Sequence, residues 1–476
     1  MLFNSAEFLL VFLPIVLLVY YRLPHRGQNA FLVIASCVFY ASWDWRFLAP
    51  LLFTTSLDYW VARRIEALVQ AGKPIETRRK YLIVSIVANM GLLGFFKYFN
   101  FFSQSAVQLA QALGLDIGLR TFEIVLPLAI SFYTFQALSY TIDVYRGELH
   151  ATKSFWDFFL AVLYFPHLVA GPIQRAANLL PQVTNPRIIK REHVLEGLHL
   201  IAWGFFKKVF IADNLAPIVD AAFSHPSPTG GITLLGVYAF TFQIYCDFSG
   251  YTDIARGLAK IMGFEFVLNF RLPYFATNPS DFWRRWHISL STWLRDYLYK
   301  PLGGNRGSAL LTNRNLMLTM VLGGLWHGAA WNFVLWGLYH GVLLVGHRLL
   351  EPALARVGRL LSFSPSLWWT LRVMSMFLLT CYGWLLFRAT SLDQVVSMTT
   401  SLAAPLAGID WDAMARVSWI IAPLLLVQAI QARTGELFFM KLIFVAPAVR
   451  VVGYALMFYL ALFLGGTPQS FVYFQF

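Results

Sequence analysis

Charge and cysteine are scarce in this sequence. Asp, Glu, Lys and Arg make up 13% of its 476 residues, whereas 58% are hydrophobic. This balance excludes an ordinary soluble enzyme, which needs a charged surface. The three cysteines, Cys37, Cys246 and Cys381, all fall inside apolar runs, so they indicate neither a disulfide framework nor a metal-binding knuckle.

Several enzyme signatures are also absent. The sequence contains no Walker phosphate loop, no HExxH zinc motif and no GxSxG nucleophile elbow. His193, Glu196 and His199 are spaced three residues apart, but they stand at the start of an apolar run without the remaining ligand of a zinc site. We therefore expect neither a bound metal nor a bound cofactor.

Long apolar runs recur from one end of the sequence to the other. They predict one all-α, polytopic membrane domain covering residues 1–476. The first run has no positive region before it and no small-residue cleavage site after it, so we expect a retained span. The predicted spans are residues 6–20, 29–43, 46–62, 81–102, 122–142, 194–222, 232–258, 309–326, 329–347, 367–388, 416–431 and 446–464.

Two stretches differ from these spans. Basic residues flank the stretch 158–174 on both sides, and Pro166 and Pro172 interrupt the stretch itself. Both features favour a re-entrant segment buried in protein. His167 lies in this stretch, and we interpret it as a structural histidine. The polar region 389–411 predicts a connection that contains an interfacial helix.

Charged residues inside predicted spans are candidates for function. Lys208 lies in span 194–222, where it can pair with Asp213 or line a path for an anionic substrate. Asp247 lies in span 232–258, which is too polar to face lipid and must face the protein interior or a water-filled cavity. Lys208 and Asp247 are therefore candidate tunnel-lining residues.

An amphipathic helix is predicted to begin near Ser280, which can cap it. Aromatic and apolar residues recur at helical spacing from Trp283 through His287 and beyond, and they predict one continuous buried stripe. On this stripe His287 either bonds to a neighbouring backbone group or belongs to a site. Arg284 and Arg285 lie off the stripe, where they either meet an anionic substrate or are simply solvated.

Residues 323–341, GGLWHGAAWNFVLWGLYHG, surround a second histidine with small residues. Glycine and alanine let neighbouring helices approach closely in a membrane. His327 follows Trp326 there, and a buried imidazole is either a core group bonded to a carbonyl or a reactive base. Trp326 and Asn332 are weaker candidates for the same site.

Five motifs stand out in chain order. They are PLAISFYTFQALSYTIDVYRG, GFFKKVFIADNLA, DFSGYTDIARG, SDFWRRWHISLSTWLRDYLYKPLGG and GGLWHG. Together they resemble the membrane-bound O-acyltransferase (MBOAT) family, and most of all its bacterial branch containing the alginate O-acetylation membrane protein. The opening FNSAEFLLVFLPIVLLVYY and the ending FVYFQF are similar too, so the resemblance covers essentially the whole chain.

The resemblance implies a ring-like helical bundle with a central tunnel, re-entrant segments and interfacial amphipathic helices. It places His327, in WHG, at the family's essential histidine, as general base or transient acyl acceptor. It places His287, in RRWHISLS, at the second active-site position, where it would orient the thioester or the attacking group.

The resemblance also implies a donor and partners. Family members take an acyl group from a cytoplasmic thioester and deliver it to a hydroxyl. In the branch that this chain resembles, the implied donor is acetyl-CoA and the implied location is the bacterial inner membrane. The acetyl group would pass to a periplasmic acetyltransferase partner, which modifies an exopolysaccharide alongside biosynthesis and export proteins.

Other functions stay open from the sequence. A D-alanyl transferase that modifies teichoic acid would use the same two histidines. A transporter or channel would explain Lys208 and Asp247 but not two histidines in family motifs. Alginate, cellulose and peptidoglycan all remain possible final acceptors.

We expect residues 63–80 and 263–307 to face the cytoplasm, because both stretches are rich in Arg and Lys and such segments are retained there. Reporter fusions inserted in each stretch measure the side directly. A fluorescent-protein fusion should be bright and an alkaline phosphatase fusion inactive. Phosphatase activity at either stretch would overturn this orientation, which also places the N-terminus outside.

Overall fold

A computed structural model of the chain describes residues 1–116, 118, 122–168, 171–360, 364–437 and 447–472. Within these residues the regular structure is helical and no strand forms, which confirms the all-α prediction. Six helices there are long and apolar enough to cross a membrane, so the chain is a multi-pass membrane protein. They are His25–Gln70, Ile75–Ala112, Gly230–Ile261, Trp331–Leu360, Pro365–Arg388 and Trp411–Thr434.

The described residues form α-helices joined by turns and, as at residues 262–278, by longer connections. The first nine are α1 (Leu13–Tyr20), α2 (His25–Asp44), α3 (Leu48–Gln70), α4 (Ile75–Leu93), α5 (Phe99–Ala112), α6 (Ile130–Arg146), α7 (Phe155–Leu163), α8 (Phe165–Leu168) and α9 (Ala176–Thr184). The next six are α10 (Arg191–Phe205), α11 (Asp213–Phe223), α12 (Gly230–Ile261), α13 (Pro279–Trp283), α14 (Ile288–Leu294) and α15 (Ala309–His327). The last five are α16 (Trp331–Leu360), α17 (Pro365–Arg388), α18 (Leu392–Ser401), α19 (Trp411–Thr434) and α20 (Pro447–Phe463).

Short π- and 3₁₀-helical segments continue several of these helices. The π-helical segments are Glu7–Phe12, Gly94–Tyr98, Phe206–Ala212 and Arg295–Tyr299, and the 3₁₀ segments are Trp45–Phe47 and Pro273–Phe275. One of them, Phe206–Ala212, joins α10 to α11 without a break. A π-helical segment inserts extra residues into a helix and often marks a functional region.

Several predicted spans differ in their bounds or their length. The basic stretch 63–80 is mostly helical, because α3 and α4 leave only residues 71–74 as a turn, where Gly72 has a φ of 64°. The predicted span 122–142 begins late, since Ala129 takes a left-handed backbone just before α6. Helices that are shorter or more polar than the six long ones form at four other predicted spans, whose crossing of the membrane stays a prediction: residues 6–20, 194–222, 309–326 and 446–464.

The chain folds into two compact units. The first comprises Met1–Leu198 and Ile254–Val267, and the second comprises His199–Asp253 and Leu268–Phe476. Both histidines of the predicted site and all of its weaker candidates lie in the second unit. The single functional domain over the whole chain stays a prediction.

In the first unit, the stretch 158–174 forms short helices rather than a span. α7 has nine residues and α8 has four, and from residue 158 onward their side chains are buried. His167 is fully buried and its Nε2 lies 3.2 Å from the carbonyl oxygen of Val162, which is the predicted structural role. The re-entrant path itself stays a prediction, and residues 169–170 lie outside the described ranges.

In the second unit, α15 and α16 cross closely through small residues. A Cβ atom on Gly324 would lie 2.2 Å from the carbonyl oxygen of Phe333, and one on Gly337 would lie 2.4 Å from that of Met320. Any larger side chain would push the two backbones apart, so glycine sets the spacing of this pair. The crossing fixes the end of α15, where His327 stands.

The prediction of one continuous amphipathic helix beginning near Ser280 is wrong. The helix begins earlier, with Asn278 as the cap that accepts the main-chain N–H of Asp281 at 2.8 Å. It ends at Trp283, and α14 starts only after His287, which has a left-handed backbone with a φ of 43°. Helical periodicity survives such a break, so the stripe pattern could not reveal it.

The buried stripe is therefore only partly as predicted. Trp286 and Trp293 are 1% and 7% exposed, and both pack in the core. Trp283, in contrast, is only half-buried and forms part of a cavity wall.

We expect Trp286→Ala to lower the free energy of unfolding by about 3–5 kcal/mol, because it empties a packed aromatic site. Arg295 is more than half exposed and pairs with its neighbour Asp296 at 2.9 Å, so Arg295→Ala should cost less than about 1 kcal/mol. Unfolding of the purified protein in detergent mixtures compares the two. Equal losses would contradict this assignment of core and surface.

Candidate active site

A cavity of about 470 Å³ lies beside His327 in the second unit. Residues on the helices α13 to α16 and in the segments between them form its wall. Exposed Arg284 and Arg295 line it together with buried His327, so the cavity leads from charged, solvent-facing side chains to an imidazole. Its volume is typical of a small-molecule site.

His327 is held rigidly in an aromatic wall. It is the last residue of α15, and the chain leaves the helix at Gly328, where a Cβ atom would lie 2.1 Å from the Phe333 ring. The rings of Trp326 and Trp336 each lie edge-on at 5.1 Å from the imidazole, which is 6% exposed. This packing leaves the cavity as the open side of the ring.

His287 lies next to His327, with 6.3 Å between the ring centres. It is fully buried, and its left-handed backbone is one that histidine, asparagine and aspartate adopt more readily than most residues. Its Nδ1 lies 3.2 Å from Oδ1 of Asn269. The structure thus brings together the two histidines that the sequence separates by forty positions.

The contacts of Asn269 determine which nitrogen of His287 carries hydrogen. Ser289 donates its main-chain N–H at 3.2 Å and its hydroxyl at 2.8 Å to the same Oδ1. Because a main-chain N–H can only donate, the atom facing it is the amide oxygen, and His287 must donate from Nδ1. Its Nε2 then presents a lone pair and has no hydrogen-bond partner among the described residues.

Burial also fixes the charge of His287. Desolvation lowers its pKa to about 3, so the imidazole is neutral near pH 7. A neutral ring with a bare Nε2 can accept a proton or a hydrogen bond from a substrate hydroxyl.

Asn269 is a site residue that sequence reasoning missed. Besides its side-chain contacts, its carbonyl oxygen accepts the main-chain N–H of Ile288 at 2.9 Å. It therefore braces the backbone on the far side of His287 as well as the ring. The sequence shows only that Asn269 places an amide inside the apolar run FVLNF. That pattern does not show which residue the amide binds.

The two predicted arginines have different surroundings. Arg284 lines the cavity, whereas Arg285 pairs with Asp281 at 2.8 Å and lies outside the cavity wall. Arg295 also lines the cavity. Arg284 and Arg295 are therefore the cations of the cavity wall, and of these Arg295 is also paired with Asp296 at 2.9 Å.

Trp326 and Asn332 support the site from two directions. The Trp326 ring lies 6.1 Å from His287 as well as 5.1 Å from His327, so it contacts both imidazoles. Asn332 donates to the carbonyl oxygen of Ala389 at 2.8 Å, which ties the start of α16 to the end of α17. Asn332 is not part of the cavity wall.

Lys208 and Asp247 form a buried ionic cluster with Asp213. The Lys208 ammonium lies 2.7 Å from Asp213 and 2.8 Å from Asp247. The predicted pairing of Lys208 with Asp213 is thus present. Neither Lys208 nor Asp247 belongs to the cavity wall, and their tunnel-lining role stays a prediction.

The site offers imidazole chemistry in an aromatic setting. Among the described residues, no group of three His, Cys, Asp or Glu side chains could hold a metal ion. Two neighbouring imidazoles can move a proton between a hydroxyl and a leaving group, provided that water is excluded.

Comparison with known proteins identifies the family. The model of the membrane-bound O-acyltransferase family matches residues 152–384, which contain both histidines. The chain is 46% identical over 393 residues to "Probable alginate O-acetylase AlgI" of Azotobacter vinelandii, which covers 83% of this chain and 76% of that protein. It is 35% identical over 430 residues to the peptidoglycan O-acetyltransferase of Helicobacter pylori, with coverages of 84% and 79%.

A third relative is more distant. The chain is 31% identical over 277 residues to the teichoic acid D-alanyltransferase of Bacillus subtilis, with coverages of 55% and 68%. All three relatives transfer an acyl group, according to their names. The chain therefore belongs to the membrane-bound O-acyltransferase family and is a multi-pass membrane O-acyltransferase.

Proposed function

We propose that this protein takes an acetyl group from acetyl-CoA at the cytoplasmic face of the bacterial inner membrane. The acetyl group serves the O-acetylation of an exopolysaccharide such as alginate, through a periplasmic acetyltransferase partner. The observation that carries this proposal is the cavity that joins exposed Arg284 and Arg295 to buried His327. The relatives named as alginate O-acetylases support both the acetyl group and the polymer.

The cavity suits a phosphate-bearing thioester. Guanidinium groups bind phosphates through paired, charge-assisted hydrogen bonds. With the phosphates at Arg284, and at Arg295 in exchange for its pairing with Asp296, the thioester end of the donor extends along the cavity toward His327. The aromatic wall around that histidine excludes the water that would otherwise hydrolyse the thioester.

His327 serves as the general base in the simpler of two routes. The acceptor hydroxyl attacks the thioester carbonyl while a ring nitrogen of His327 takes its proton. The C–S bond breaks, and the leaving thiolate recovers that proton from the imidazolium, so the products are an ester and a free thiol. The carbonyl end of α15 stabilises the transient positive charge on the ring.

In the other route a ring nitrogen of His327 attacks the thioester carbonyl, the C–S bond breaks, and the thiolate leaves with the ring proton as a free thiol. The hydroxyl then attacks the acetylated ring, the C–N bond breaks, and the hydroxyl proton passes by way of Nε2 of His287 to the freed ring nitrogen. Both routes need the ring unprotonated at the start. In this second route His287, neutral and with a bare Nε2, orients the attacking hydroxyl by accepting its hydrogen bond. In the first route the single hydrogen of that hydroxyl goes to His327 instead.

D-alanyl transfer to teichoic acid is the alternative acyl chemistry. The relative that carries this name matches 55% of the chain at 31% identity, whereas the alginate O-acetylase matches 83% at 46%. The relative named for peptidoglycan keeps the acetyl group and changes only the polymer. The names of these relatives thus support acetyl as the transferred group more broadly than they support any one polymer as the final acceptor.

We expect His327→Gln and His327→Ala to lower acetyl transfer about 10²-fold or more, because both remove the base. Glutamine keeps much of the shape and hydrogen bonding of histidine. A loss of acetyl transfer in His327→Gln therefore reflects the missing base rather than altered packing. The measurement is polysaccharide acetylation, by NMR of polymer from cells that carry each variant at matched protein level.

The matched control is His225→Gln, at an exposed histidine of the same unit, and it should acetylate normally. Near-normal acetylation by His327→Gln would exclude a catalytic role for that residue. It would then favour a transporter that moves its cargo without covalent chemistry.

Replacing Asn269 by Asp should make transfer sensitive to acid. The new carboxylate beside Nδ1 favours the imidazolium and raises the pKa of His287 from about 3. Once protonated, Nε2 cannot accept a hydrogen bond, so transfer by the variant should fall more steeply than wild type between about pH 8 and pH 5. Acetyl-CoA turnover by the purified protein across this range gives the profile.

The corresponding control is Asn178→Asp, an exposed amide in the other unit, whose profile should follow wild type. If the profiles of Asn269→Asp and wild type were parallel, His287 would have no part in proton transfer or hydroxyl orientation.

A further inference from the structure

We infer that residues 464–472, the terminal strap, hold the imidazole of His287 in its working orientation. The strap acts through Phe248 and does not touch the cavity. This inference rests on the proposed function of the two histidines. It assigns Lys208 and Asp247 a positioning role.

The buried ionic cluster binds the main chain of the strap. Lys208 donates to the carbonyl oxygen of Gln469 at 3.0 Å, and Asp247 accepts the N–H of Val472 at 2.6 Å. The side chains of Lys208, Asp213 and Asp247 are at most 2% exposed. A buried ionic cluster stabilises a structure only when its remaining hydrogen-bonding capacity is used, and here the strap uses it.

The beginning of the strap is anchored on the π-helical segment between α10 and α11. Gly466 donates its N–H to the carbonyl oxygen of Val209 at 3.0 Å, and Asn214 donates its side-chain amide to that of Leu464 at 2.7 Å. A Cβ atom on Gly466 would lie 2.4 Å from the backbone of Asp213, so the strap and this helix are in direct contact. The strap is therefore fixed at both of its ends.

A row of rings leads from the strap to the site. Phe471 is fully buried, and its ring lies 5.9 Å from Phe248 and 4.6 Å from Tyr251. The Phe248 ring in turn lies edge-on at 4.7 Å from the imidazole of His287. Phe248 thus packs against the imidazole, and Phe471 backs Phe248.

Loss of this backing would loosen the histidine without removing it. Asn269 fixes Nδ1 by one hydrogen bond, which leaves the ring free to tilt if Phe248 moves. A misplacement of about 1 Å in an active site can slow a reaction by about 10²-fold, because reacting groups must be aligned. The effect falls on turnover, since the arginines that meet the donor are untouched.

We expect Phe471→Ala to lower kcat about tenfold while KM for acetyl-CoA stays unchanged. Phe471→Leu refills most of the space and should restore kcat to within about threefold of wild type. Phe463→Ala removes an aromatic residue that is 71% exposed on α20, and it should behave as wild type. The assay is acetyl-CoA turnover by purified full-length protein, per folded molecule.

An unchanged kcat in Phe471→Ala, or a Phe471→Leu variant no better than the alanine variant, would overturn the inference. If Phe471→Ala does not fold, Phe248→Leu carries the test, because it loosens the same contact with His287 and leaves the strap in place. Normal kcat in that variant would also overturn it. Failure of the wild type itself to turn over acetyl-CoA would instead contradict the proposed function.

Discussion

Polar groups buried in a largely apolar protein must find their partners inside it, and several such pairings here join distant parts of the chain. In the first unit the carboxylate of Asp58 accepts Asn89 at 2.8 Å and Thr141 at 2.9 Å, so one side chain joins α3, α4 and α6. In the second unit Lys208 joins its helical segment to the terminal strap. Asn269 likewise binds His287, a residue 18 positions later in the chain. Apolar burial brings the helices together, and these few polar contacts determine their register.

The sequence was informative wherever the governing interaction is local. Apolar runs located the sequence of all six long helices, although they divided His25–Gln70 into two predicted spans. Glycine around His327 indicated a close helix crossing, which Gly324 and Gly337 form. It was uninformative where the partner is distant. Nothing within the motif around His287 shows that the helix stops there, because the N–H groups that follow are taken by Asn269, 18 residues earlier.

That break also explains which charged residues reach the cavity. On one continuous helix Arg284 and Arg295 would both have faced away from the buried stripe. Because α13 and α14 are separate, both side chains line the cavity, while Arg285 lies outside its wall. The resemblance to a known family supplied the two histidines, but it could not supply the arrangement of their neighbours, which depends on contacts that no motif contains.

The left-handed backbone at His287 also restricts how this position can vary. With a φ of 43°, it excludes β-branched residues such as valine and threonine on steric grounds, whatever their chemistry. Asparagine tolerates the same conformation and keeps a polar head, so it is the informative substitute there. Loss of function through most other replacements would mix a backbone effect with a chemical one, and the narrow set of tolerated residues would reflect the shape of the turn as much as the reaction.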